Sequence, residues 1–369
     1  MDLIGLLQAL ADDGSLDFIM HNPLAQFGTK SRKYLGATLL PEKTVTHNKF
    51  REEGVKFRSV IANSGTRYSP VQLKGNVLTA GFDVELSYSD IGSQLKGQEY
   101  DALINMLRRF DSMQGEIGMQ AMLAITGWIE ATLNRPLVEL NEKLRMDCLV
   151  DAQCVLVGDN GYTETVQYSD PSGHRFAAAD SWADDTKDPM DDLALVADKF
   201  SEKGYVAKRC LAPRPVITAL MKNEQMRKRA GTLAITGGTV VGQSARVSMA
   251  ALNAIMTDNG LPPIEPYDLR YTTAEGSGYM LKRDVMLFTA ETDEEMPIDL
   301  GDGELMTLEN LQGYTAIGFG AGQISAGRTL FTETHRDKPP RIEGQAWQAS
   351  LPVVTQPEGI IVIKDITTS

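Results

Sequence analysis

The stretch 49–156 constrains this chain more than any other part of it. It reads as a long strand hairpin feeding a very long helical region. Phe82, Val84, Leu86 and Tyr88 alternate with Asp83, Glu85 and Ser87, the period-two pattern of a half-buried strand. Upstream, Val55, Phe57 and Ile61 alternate less cleanly with Lys56, Arg58 and Val60. Asn63-Ser64-Gly65 and Lys74-Gly75-Asn76 supply turns between these runs. From 98 to 133 the composition turns helical, weakened at Gly115, Gly118 and Gly127. A cleaner helix is expected over 135–156. Asn134 is placed to cap it, Pro136 suits its first turn, and Leu137, Leu140, Leu144, Cys148, Ala152 and Val155 form one stripe. That helix alone would be about 33 Å long. Extended pieces of this kind, beside a modest core, suggest a subunit that touches copies of itself. The pattern equally allows an ordinary hairpin folded onto its own domain.

The rest of the chain reads as an arm followed by a compact unit. Residues 1–48 offer one short amphipathic helix, then a glycine-bounded segment with Lys30, Arg32 and Lys33. Gly158-Asp159-Asn160-Gly161 turns the chain into a strand over 162–168, and 169–188 is a polar loop. Asp188-Pro189 with Asp191 and Asp192 combines a cap, a first-turn proline and acidic residues at a helix start. Gly204 stops that helix. A strand over 205–211, helices over 216–229 and 245–257, and strands over 265–271 and 285–289 follow. This order predicts an α/β-like unit with a mixed sheet. Strands over 346–354 and 360–363 close the chain.

The 369 residues carry a net charge of −13. Duplex DNA is bound by trading counterions for Lys and Arg, and this surface offers little of that; Arg227-Lys228-Arg229 reads as a solvated helix end. Three cysteines are too few for a disulfide framework. On one continuous helix Cys148 and Cys154 would stand roughly 240° apart and could not share a metal. Three unpaired thiols suit a reducing cytoplasm. No targeting segment is expected, because Asp2 stands where a basic n-region belongs. The uncharged stretch 310–327 carries five glycines and is not read as membrane-spanning.

Candidate chemistry is sparse. Ile235-Thr236-Gly237-Gly238-Thr239-Val240-Val241-Gly242 has Gln243 where a phosphate loop needs Lys. Gly242-Gln243-Ser244-Ala245-Arg246 has Arg where a nucleophile elbow needs its second Gly. Acidic clusters at 184–192 and 293–302 lack calcium-loop spacing. No catalytic, cofactor or metal site is expected. Trp128 and Trp347 read as core, whereas Trp182 sits in a polar loop as a candidate interface anchor.

Four segments, in order, resemble the major capsid proteins of tailed bacteriophages, specifically the lambda-like head protein family. Ser64-Gly65-Thr66-Arg67-Tyr68-Ser69-Pro70 with Leu73-Lys74 resembles its extended loop. The stretches 188–200 and 210–229 resemble its helix–strand–helix. Tyr279-Met280-Leu281-Lys282-Arg283-Asp284-Val285-Met286-Leu287 is similar to a loop entering its central strand, and 351–362 to its terminal strand pair around a Pro turn.

The resemblance implies an α+β protein of the Hong Kong 97 capsid fold. The expected parts are an N-terminal arm (1–48), an extended β-hairpin loop (49–90), a peripheral domain with a spine helix (91–188 and 328–369) and an axial α/β domain (189–327). It implies a non-enzymatic subunit that self-assembles as hexamers and pentamers into an icosahedral head around packaged double-stranded DNA. Arg58, Arg67, Tyr68, Lys74 and Trp182 are the expected assembly-interface residues. The implied partners are a portal protein, scaffolding and decoration proteins, and DNA held without sequence-specific contacts, with no membrane. The implied location is the virion, after assembly in the host cytoplasm. Two other readings stay open: an encapsulin-like nanocompartment shell, and a soluble α/β nucleotide-binding enzyme using the 235–242 loop.

Overall fold

The computed structural model describes residues 33–57, 77–102, 105, 125–157, 163–236, 246–273, 276–299, 305–335 and 341–367. Most of the expected arm, the hairpin tip with Arg58, Arg67, Tyr68 and Lys74, and the glycine loop 237–245 with Ser244 lie outside these residues.

Two sheets share one long helix. The first is organised by β17 (Arg341–Val354), a strand of 14 residues. Along one edge it pairs antiparallel with β4 (Ser87–Lys96). The other edge is shared in tandem by β16 (Thr329–His335) and β15 (Gly313–Ile317), and β1 (Glu42–Thr44) adds to β15 in parallel. The second sheet has the order β7 (Arg175–Ala177), β18 (Ile360–Lys364), β12 (Met286–Ala290), β8 (Ala207–Ala212), β9 (Ile264–Pro266). Its outer pairs are parallel and its inner pairs antiparallel, which is the mixed sheet expected.

The residues of β12 are buried along the whole strand, as a strand covered on both faces requires. Met286, Phe288 and Ala290 face a core with Leu193, Val196 and Phe200 of α2 (Pro189–Lys203), and with side chains of α3 (Arg214–Lys222) and α5 (Met249–Asp258). Leu287 faces the opposite core, built with Leu144, Cys148 and Leu149 of α1 (Arg135–Asp151). The helical turn that leads into α1 packs on the first sheet at Gly344, where a β-carbon would stand 2.7 Å from Leu133 Cδ1. Helix and strand come together there because the glycine has no side chain.

The two sheets draw on segments that alternate along the chain. β18 pairs with β12 in the second sheet, and β15 pairs with β17 in the first.

The helix itself differs at both ends. Asn134 is helical rather than a cap, because a π-helical turn over Glu130–Asn134 leads into α1 without a break. At the other end Ala152 adopts a left-handed conformation (φ 53°), and Gln153–Val157 is strand β5. The apolar stripe misleads because Cys154 and Leu156 are buried as alternate residues of a strand, not as a further helical turn. At 17 residues, α1 spans about 26 Å. Arg175 closes it, donating to the carbonyls of Leu149 and Val150 at 3.0 Å each, groups that a helix end otherwise leaves unbonded.

The start of α2 is as expected. Asp188 accepts a hydrogen bond from the Met190 amide at 3.0 Å, and Gly204 ends the helix at φ 76°. Asp188 also pairs with Arg229 at 2.6 Å. Asp188→Ala is expected to lower subunit stability by about 0.5–2 kcal/mol in a urea melt. A chelator is expected to leave the melting temperature unchanged, and a drop reversed by Ca²⁺ would assign the carboxylate to a metal instead. The predicted helix over 216–229 is two helices, α3 and α4 (Glu224–Thr236). The buried Asn223 breaks them, its Oδ1 accepting from the amides of Gln225 and Met226.

Candidate assembly elements and the charge cluster that anchors them

The hairpin expected from alternation is present. β2 (Lys49–Phe57) pairs antiparallel with β3 (Val77–Glu85) over nine residues. Neither strand pairs with any other among the described residues. A lone two-stranded ribbon is marginal in water and exposes open edges. Its far end, at Phe57 and Val77, borders the segment with the candidates Arg58, Arg67, Tyr68 and Lys74, which lies outside the described residues.

Its root is fixed by short-range chemistry. Asn48 Nδ2 donates to the Phe319 carbonyl at 2.7 Å, and Asn48 Oδ1 accepts from the Phe319 amide at 2.6 Å. Leu86 N donates to Asn48 O at 2.9 Å, and Tyr314 OH donates to Glu52 at 2.7 Å. A β-carbon on Gly318 would overlap Asn48 Oδ1 and Leu86 Cδ1. Gly318 therefore serves close packing at the hairpin root. Gly318→Ala is expected to cost about 1–3 kcal/mol through overpacking. Faster hydrogen exchange of the Leu86 and Phe319 amides, with the α2 amides unaffected, would locate that cost at the root.

A buried charge cluster holds the segment that enters the hairpin. Glu142 and Arg145 of α1 are both 0% exposed. The Glu142 carboxylate accepts from the amides of Gly36 (2.8 Å) and Ala37 (3.1 Å), and from Tyr267 OH. Arg145 Nε donates to Thr315 Oγ1 at 2.7 Å, and its other nitrogens reach Glu42 at 3.2 Å and Glu142 at 3.5 Å. Glu42 also accepts from Arg328 and, at 3.0 Å, from Asn141. Asn141 Oδ1 in turn accepts from Gln348 and Ser350 of β17 at 2.9 Å each. One network thus joins the N-terminal segment, α1, strands β1, β15 and β17 of the first sheet and the residue after β9. Burial pushes the Glu42 carboxyl pKa up, but Arg328, Arg145 and Asn141 together outweigh it and hold it below its ordinary value. Burial, then Glu142, pushes the Tyr267 hydroxyl pKa up, so it stays a donor.

Trp182 is not an exposed anchor. It is 1% exposed, packed in the α2 core, and its Nε1 donates to Asp192 at 2.8 Å. The polar loop around it conceals this, because the partner acid lies ten residues on in α2. The cysteines are also arranged differently from the helical expectation. With Cys154 on β5, its thiol lies beside that of Cys148, and both are buried. Burial pushes the Cys148 and Cys210 pKa values up, so these thiols are poor nucleophiles and poor ligands. No group of three metal-ligating side chains occurs among the described residues, and no described helix is long and apolar enough to cross a membrane.

The family described as Phage major capsid protein E matches residues 101–278 of this chain. That stretch, a little under half of the chain, is similar to the phage major capsid proteins. Two crystal structures share the fold of this chain. The putative capsid protein of a prophage of E. coli CFT073 is 13% identical, with a TM-score of 0.55, over 92% of this chain and 94% of that one. A phage-related protein of Bordetella bronchiseptica RB50 is 12% identical, with a TM-score of 0.54, over 94% of this chain and 96% of that one. No curated protein sequence matches it. The family match supports a structural shell protein.

Proposed function

We propose that copies of this chain close into an icosahedral head around packaged double-stranded DNA, and that the chain has no catalytic role. The observation that carries this reading, beside the family match, is the nine-residue ribbon β2–β3, rooted on the first sheet yet without further strand partners among the described residues. Neighbouring copies supply its cover, through Arg58, Arg67, Tyr68 and Lys74. The functional parts are an arm before the hairpin, the hairpin loop itself, a peripheral unit on the first sheet with α1 as its spine, and an axial unit on the second sheet. A portal protein would occupy one opening, and scaffolding and decoration proteins would act from inside and outside. The net charge of −13 suits a container that neither binds its genome tightly nor hinders its release. Assembly belongs in the host cytoplasm.

Negative-stain microscopy of the expressed protein tests this. Closed shells are expected, and particles from phage-producing cells are expected to hold nuclease-protected DNA. Shells loaded with an enzyme cargo would assign a nanocompartment instead. A soluble monomer that binds nucleotide would overturn the shell reading.

A further inference from the structure

We propose that a cationic stack at one end of β12 docks the acidic ribbon at the other end of β12 in a neighbouring copy. This rests on the shell reading above and names one contact within it. The stack is Arg270, Tyr279 and Arg283. Both guanidinium groups lie over the same ring, at 5.1 and 4.7 Å from its centroid. Arg270 also donates to Ser277 Oγ at 2.7 Å and Arg283 to Tyr279 OH at 3.2 Å. These bonds fix the direction of both cations while leaving donors over. Both arginines are exposed, and neither forms an ion pair among the described residues. A guanidinium presents five donors in a planar fork suited to carboxylates. In a chain with 49 acidic and 36 basic residues, two exposed arginines without carboxylate partners among the described residues are out of proportion.

The complementary surface is in the same sequence. Between Arg283 and Arg328 there are nine acidic residues and no Lys or Arg. Within this stretch β13 (Met296–Asp299) and β14 (Leu305–Leu308) pair only with each other among the described residues. Glu291 is engaged by Lys208, and Glu294 by Thr355 and Gln356. Asp293, Glu295 and Glu309 flank the ribbon, exposed and without an ion pair among the described residues.

The connection through β12 decides how the two can meet. Arg283 precedes Met286 and Asp293 follows Ala290, so the surfaces lie at opposite ends of a buried strand about 17 Å long. They cannot neutralise each other within one subunit. A repeated head-to-tail contact, in which different patches of two copies meet, satisfies both at every interface. Duplex DNA offers similar anionic chemistry, but the net charge of −13 opposes its approach.

Charge exchange tests the contact, with wild-type protein assembled in parallel. R270Q/R283Q and D293K/E295K/E309K should each keep the wild-type circular dichroism and melting curve, because all five side chains are exposed. Each should lower the yield of shells on the order of tenfold or more, since complementary charges are lost or like charges face each other. The fully exchanged chain, R270E/R283E/D293K/E295K/E309K, should recover shells in sedimentation and microscopy. If wild type forms no shells, the shell reading fails. If wild type assembles and R270Q/R283Q assembles equally well, the contact is wrong. Failure of the exchanged chain to improve on the acid-reversed variant also rejects it. Normal R270Q/R283Q shells that protect less DNA would assign the stack to phosphate.

Discussion

Replacing residues 58–76 by a short Gly-Ser turn is expected to abolish shell assembly while leaving the subunit folded. The replacement keeps the whole paired stem, from Lys49 opposite Glu85 to Phe57 opposite Val77. It also keeps the root, where Asn48 grips Phe319 and Leu86. Shortening a loop changes closure entropy only slowly, so the stem should tolerate it. The two cores are built from side chains outside the hairpin, which is why the melting temperature should move little. Assembly differs because one contact recurs at every subunit, and a modest loss in each is multiplied across the shell. Circular dichroism and thermal melting, beside analytical ultracentrifugation, separate the outcomes. A folded variant that sediments as single subunits or small oligomers supports the arm. Complete shells from the variant would sink it, and outright unfolding would place the hairpin in the subunit's own core.

Local signals were legible, and long-range ones were not. The alternation around Val84 and Leu86 marked the hairpin, and Asp188-Pro189 marked the start of α2, because each pattern is confined to neighbouring residues. The C-terminal end of α1 was not legible. Leu144, Cys148, Ala152 and Val155 keep helical spacing across a break set by the left-handed Ala152 and by pairing of β5 with β6 (Thr163–Gln167). The N-terminal half of β17 was missed because Arg341, Glu343 and Gln345 lie on the less buried side. Its pairing with β4 and β16 identifies the strand instead. The anchoring cluster carries no motif at all. Glu142 meets Gly36 across 106 residues, and Glu42 meets Arg328 across 286. The one local hint was a pair of opposite charges, Glu142 and Arg145, three apart on a helix. Such pairs usually sit in solvent, and here they sit in the core.

Arg145→Met is the substitution expected to destabilise the subunit most, because it removes one member of that cluster and strands the others. The methionine fills much of the space, so the cost is mainly electrostatic. Glu142 keeps its two amide donors and Tyr267 but loses its cation, and Glu42 keeps Arg328 and Asn141. Breaking a buried pair by removing one partner costs about 3–5 kcal/mol, a large share of the roughly 5–15 kcal/mol that holds a domain folded. The pH dependence gives an independent check. Burial raises the Glu42 pKa, but Arg328, Arg145 and Asn141 depress it below its ordinary value of 4.5. Its stabilising contribution is therefore complete above that value, and is lost as the pH falls through the depressed folded value. Without Arg145 the depression shrinks, so the variant has less to lose on acidification. The stability difference between wild type and variant in urea melts should accordingly be largest near neutrality and narrow towards pH 4. Adding Glu142→Gln to Arg145→Met should recover part of the loss. The amide still accepts from Gly36 while the stranded charge is gone. A small difference that does not change with pH, or no recovery in the double variant, would mean that packing rather than charge fixes the segment entering the hairpin.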